Sequence, residues 1–145
     1  MYKIKRGEYK IMYEVLKEYT YDDAIGFTFY KKVIFDYDTE ERYFCLTVKN
    51  RDCGTDQTIL LDFIYDSDEF EEKAQTTIRE FMLNSVANNI ECVAYDLGLK
   101  KLKVIAGEFG VIAGEKYFQL NDNDDYEQLE RDIIEYVKSL AALNH

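Results

Sequence analysis

The sequence predicts an α+β fold, a mainly antiparallel sheet (a three-stranded meander plus a second hairpin region) with about three helices packed on it. Three observations predict it. Apolar residues alternate with a period of two in three consecutive runs between Ile25 and Tyr65, as they do when successive side chains point to opposite faces of a strand. The connections between those runs are short and polar, which favours antiparallel neighbours. Flanking stretches place apolar residues about every 3.6 positions, the spacing of a helix with one face on a core.

The meander is the clearest part. In its first run Phe27, Phe29, Val33, Phe35 and Tyr37 share a face that Lys31 interrupts, and Thr28, Tyr30, Lys32, Ile34 and Asp36 take the other. The second run sets Phe44, Leu46 and Val48 against Tyr43, Cys45, Thr47 and Lys49. The third sets Ile59, Leu61, Phe63 and Tyr65 against Thr58, Leu60, Asp62, Ile64 and Asp66. β-Branched and aromatic residues dominate all three, as a pleated, half-buried surface favours. Residues 36–41 and 50–56 supply the Asp, Asn, Thr and Gly of turns.

A first helix is expected over residues 8–19, where Tyr9, Met12, Leu16 and Tyr19 recur at helical spacing and Gly7 is a weak N-cap. The same region also reads as a strand over residues 2–12. A second helix starts at Asp66, whose side chain caps it with Glu69 three residues on. Its stripe is Phe70, Ala74, Ile78, Phe81, Met82 and Val86, and Asn88-Asn89 is expected to end it. Residues 90–95 alternate as a strand, 96–98 read as a turn, and 99–106 as the hairpin partner. Residues 111–113 and 116–120 read as strand pieces broken near Gly114, at a bulge. The last helix, residues 124–143, carries Tyr126, Leu129, Ile133, Tyr136, Val137 and Leu140 on one broad face, wide enough for a core or for a homodimer contact.

This order (helix, three strands, helix, two to four strands, helix) resembles that of the small acidic dimeric chaperones of type III secretion systems. The resemblance covers most of the chain as an order of elements and includes no shared motif. It implies a dimeric chaperone or assembly factor.

With 145 residues, 47% of them hydrophobic, the chain is long enough for one globular domain, 1–145, to hold its own core. It has no Pro, and no Gly/Ser-rich hinge divides it. Three cysteines, Cys45, Cys53 and Cys92, match no zinc or redox spacing. Cys45 and Cys92 are expected inside strands, and all three are read as free thiols in a reducing compartment. Residues 1–6 are charged with no apolar core behind them, so no signal peptide is expected, and the expected location is cytoplasmic.

Catalytic signatures are missing. The one histidine, His145, is the last residue, which argues against Ser-His-Asp, Cys-His and histidine-zinc sites. Gly107, Gly110 and Gly114 fit neither the dinucleotide fingerprint nor a P-loop. Asn121, Asn123, Asp125 and Asp132 echo a calcium loop, but Tyr126 stands where the sharp turn needs Gly, so they are read as helix-capping acids. Asp36, Asp38, Glu40 and Glu41 offer carboxylate pairs that nothing singles out. No catalytic residue, cofactor or metal is expected.

The remaining feature is charge. The net charge of −11 opposes direct binding to nucleic acid or anionic membranes and favours a basic protein partner. Two acidic clusters stand out: Asp66, Asp68, Glu69, Glu71 and Glu72, then Asp122, Asp124, Asp125, Glu127, Glu130, Asp132 and Glu135, with Tyr65, Tyr117, Tyr126 and Tyr136 beside them. The candidate partner-binding residues are Asp68, Glu69, Glu71, Glu72, Asp122, Asp124, Asp125, Glu127 and Tyr126. The expected function is a non-enzymatic acidic binding protein that occupies a basic surface of a partner, such as a nucleic-acid-binding protein, in the manner of an inhibitor, immunity protein or nucleic-acid mimic. The alternatives are the small dimeric chaperone or assembly factor and a small-molecule enzyme with a carboxylate-based site.

Overall fold

The structure, a computed structural model, describes residues 8–21, 25–50 and 56–143. In chain order the elements are β1 (Tyr9–Tyr21), β2 (Ile25–Asp36), β3 (Glu41–Asn50), β4 (Thr58–Ile64), α1 (Ser67–Asp96), β5 (Val104–Ala106), β6 (Gly110–Ala113), β7 (Lys116–Gln119) and α2 (Tyr126–Leu143). The class is α+β. The strands form two antiparallel sheets, ordered β1-β2-β3-β4 and β5-β6-β7, and the described residues hold two helices where three were expected. The chain divides into two compact units, Met1–Thr77 and Ile78–His145.

In the first unit the meander is present as read, with Phe29 opposite Val48 and Phe44 opposite Ile64. Phe29, Leu46, Val48 and Ile64 are buried, as are Phe70 and Ala74 of α1, and the Phe44 and Phe70 rings meet at 5.7 Å. Lys31, which interrupts this apolar face in the sequence, is accommodated in a specific way. Its stem is largely buried while its ammonium lies 4.7 Å from the Phe44 ring centre and 3.4 Å from Glu71 Oε1, so that a buried aliphatic stem carries a satisfied charge. The 36–41 turn closes as its side chains predict: Asp36 Oδ1 accepts from the backbone N–H of Asp38 at 2.8 Å, and Glu40 takes a φ of 58°. The 50–56 loop has residues 51–55, Cys53 included, outside the described residues.

The expected helix over 8–19 is a strand. Tyr9, Ile11, Tyr13 and Val15 share one face, and the register against β2 shifts between Val15 and Lys17. A bulge at Leu16 inserts one residue, so Met12 and Tyr19 fall an odd number of positions apart although both lie on the same side. That odd spacing imitated a helix. Gly7, the expected cap, lies outside the described residues. The element order behind the chaperone resemblance therefore begins with a strand where a helix was expected.

In the second unit α1 runs through Asn88-Asn89 and through residues 90–95, which were expected to be a strand. Met82, Val86, Ile90 and Ala94 are buried at successive four-residue steps, so the helical stripe continues and the six-residue alternation is coincidental. The helix stops at Gly98, with φ +89°. There Leu99 N–H donates to Ala94 O at 2.8 Å and Gly98 N–H to Tyr95 O at 3.0 Å, the paired bonds of a left-handed glycine cap. What read as a hairpin turn is that cap, and its expected partner shrinks to β5. Gly114, at φ +64°, makes the turn between β6 and β7. Gly110, in the central strand, has no room for a β-carbon, which would strike the Phe118 carbonyl oxygen and the Tyr117 ring. On the apolar face of α2, Leu129, Ile133 and Val137 are buried, while Tyr136 and Leu140 are half-buried.

Candidate functional site

Two of the three thiols lie among the described residues. Cys45 is buried, and its Sγ–H donates to Asp62 Oδ1 at 2.8 Å. Burial first, then this hydrogen bond, push its pKa up to about 11, so it stays a neutral donor and not a thiolate. Cys92, expected within a strand, is exposed on α1. Cys53 and His145 lie outside the described residues.

The loop before α2 is engaged in capping. Asn121 Oδ1 accepts from the backbone N–H of Asn123 at 3.1 Å and of Asp125 at 3.0 Å. Asp125 Oδ1 accepts from Gln128 N–H at 3.0 Å, and Asp132 accepts from the Gln128 side chain at 2.7 Å. Among the described residues no three His, Cys, Asp or Glu side chains group as a metal site.

The acidic clusters divide between the two units. At the start of α1, Asp66 Oδ2 accepts from Glu69 N–H at 2.8 Å, the cap read from the sequence. Glu69 pairs with Lys73 at 2.8 Å and Glu71 with Lys31. Asp68 and Glu72 are exposed, and among the described residues neither forms an ion pair. In the second cluster Asp122, Asp124 and Asp125 are exposed. Glu127 pairs with Arg131 at 2.7 Å, and Glu130 accepts from Asn89 Nδ2 at 3.1 Å while burial raises its pKa. Tyr126 is 3% exposed. Its ring belongs to the core, on the apolar face of α2. Tyr136 is half-buried and packs on Phe118 at 5.4 Å.

A surface that the sequence did not mark out lies around Tyr43 in the first sheet. Phe63, at φ +56°, sits where the register between β3 and β4 slips by one residue. Asp62 and Phe63 together oppose Cys45, and Asp62 Oδ1 holds the Phe63 N–H at 2.9 Å. A bulky residue in the left-handed region costs about 1–2 kcal/mol. The bulge turns the Phe63 ring onto Tyr43, stacked at 5.1 Å, with Tyr65 5.9 Å from the same Tyr43. Phe63 is 61% and Tyr65 59% exposed. Burial, followed by the neighbouring Tyr9, Cys45 and Asp62, raises the Tyr43 pKa, so the phenol stays neutral. Beside it Glu41, Arg42 and Tyr65 line an open depression of about 490 Å³. Tyr65 runs directly into Asp66 and the acidic first turn of α1. Sequence periodicity put Phe63 on one face with Tyr65 without saying which face is exposed, and no glycine marked the bulge.

In the second unit a depression of about 500 Å³ is lined by Gly98, Leu99, Lys100, Lys101, Leu102, Leu140 and Leu143. Its charged groups are the two lysines, with no carboxylate or thiol among the lining residues. No described helix is long and apolar enough to cross a membrane. Comparison with known proteins finds no matching family model, no matching curated protein and no matching solved structure.

Proposed function

We propose that this chain is a non-enzymatic acidic binding protein whose contact surface includes the aromatic patch Tyr43, Phe63 and Tyr65, with the exposed carboxylates Asp68 and Glu72 of α1 in the same unit steering a partner that presents a basic surface. The observation that carries the reading is Phe63. A strained bulge holds a large ring out in solvent beside a second exposed aromatic, and strain of this kind is retained where a side chain is being aimed. Aromatic anchors within a charged rim are the usual anatomy of a protein interface. The net charge of −11 would steer a basic partner toward it.

The test is capture from lysate at low and high salt, with the wild type, Phe63→Ala, and Asp68→Asn/Glu72→Gln. A basic protein is expected to be captured and then released by salt. Phe63→Ala should weaken capture at least tenfold, about the loss of a central aromatic anchor. The charge variant should slow association and flatten its salt dependence. Failure to capture any basic protein, or capture indifferent to both variants, overturns the proposal. A second reading, a dimeric chaperone or assembly factor, is favoured by the exposed apolar residues of β1.

A further inference from the structure

Among the described residues β1 pairs with β2 alone, which leaves its outer edge of backbone N–H and C=O groups open. The regular run before the bulge, residues 9–15, is about 23 Å long. It is exposed on both faces: Tyr9 47%, Ile11 48%, Met12 52%, Tyr13 51% and Val15 55%. A long apolar edge of this kind is a template for another strand. The opposite edge, β4, is short and bulged, with two register shifts against β3, devices that blunt an edge. Residues 9–15 carry neither bulge nor Pro.

We propose that β1 pairs antiparallel with β1 of a second copy of this chain, about a two-fold axis at Met12. The sequence of the run selects both occupant and register. With the axis at Met12, Lys10 lies opposite Glu14 of the second copy and Glu14 opposite its Lys10. Ile11 then meets Tyr13, and Tyr9 meets Val15. Opposite charges and aromatic–β-branched pairs facing directly across strands are both stabilising. An axis at Ile11 would set Glu8 against Glu14, two like charges. An axis at Tyr13 would set Lys10 against Leu16 and Glu14 against Met12. Among the described residues neither Lys10 nor Glu14 forms an ion pair within its own chain, so the Met12 register gives both a partner. A two-fold axis normal to the sheet keeps each face on its own side and joins the sheets as β4-β3-β2-β1-β1-β2-β3-β4. The contact is isologous and closes at two copies. It uses a different strand from the partner surface proposed above and stands or falls independently of it.

The test is a cysteine placed on the axis of the full chain, in a Cys53→Ser/Cys92→Ser background. Residues directly opposite in an antiparallel pair have Cα atoms about 4.5–5.5 Å apart, within disulfide range. Met12→Cys should therefore crosslink to its own copy under oxidised glutathione. Val15→Cys faces Tyr9, about 20 Å from the second Val15, and should not. Light scattering should find a dimer for the wild type, and Lys10→Glu, which puts two carboxylates opposite each other twice, should raise its dissociation constant about tenfold. Circular dichroism checks that Lys10→Glu is folded. A monomer at the highest soluble concentration overturns the proposal. So does a dimer in which Val15→Cys crosslinks as fast as Met12→Cys.

Discussion

Glu130 sits half-buried beside Asn89, with Glu127 on the same helix, and its carboxyl titrates above the ordinary value of 4.5 because burial disfavours the anion. A carboxyl with a raised folded pKa binds its proton more tightly folded than unfolded. Its protonation favours folding at low pH, and that stability is lost as pH rises from 4.5 through the folded value. At neutral pH the ionised group is a net cost. Glu130→Gln keeps an oxygen for Asn89 Nδ2 and removes the charge. Thermal unfolding at neutral pH should show the variant more stable, by no more than about 1 kcal/mol because water screens a partly exposed group, or about 2–4 °C. Below pH 4.5 the difference should close. At this scale the sequence was a mixed guide. Asp66 and Asp125 were legible as capping residues because a cap needs only local spacing. The left-handed bulge at Phe63 was not, because no residue in the run announces it; Tyr126 was read both on the apolar face of the last helix and as a partner contact, and it is buried.

Elements were legible where one period ran long enough to exclude the other. β2, β3 and α2 each carry a single phase, and all three lie where the sequence puts them. β1 failed because a bulge at Leu16 changes phase mid-strand. The end of α1 failed because six alternating residues outweighed a stripe that had already run for five turns. Gly98 was the available signal, since a lone Gly after a helical stripe reads as a C-cap as readily as a hairpin turn. The cap makes a quantitative statement. A β-carbon at Gly98 meets nothing within 4 Å, so Gly98→Ala is penalised only by its φ of +89° and should cost about 1 kcal/mol in urea unfolding. Gly110→Ala, with a backbone carbonyl in the way, should cost clearly more. Equal effects would mean that the left-handed cap does not terminate α1.

For the whole molecule the dominant quantity is the net charge of −11, which acts with opposite sign on the two associations proposed. Two copies of the chain repel each other at long range, and a basic partner is attracted. The Debye length falls from about 30 Å at 0.01 M to about 8 Å at physiological ionic strength, so added salt removes both effects. The local Lys10–Glu14 pairs also weaken with salt, but exposed pairs contribute little, about 0–1 kcal/mol each. Self-association through β1 should therefore tighten as salt is raised over this range, while capture of a basic partner should loosen. Sedimentation equilibrium for the dimer and association rates for the captured partner, measured across the same salt series, separate them. A dimer that dissociates as salt rises would mean that ion pairs, and not the apolar residues of β1, hold it together. A partner whose capture strengthens with salt would mean that the exposed rings of Phe63 and Tyr65 act without help from the carboxylates of α1.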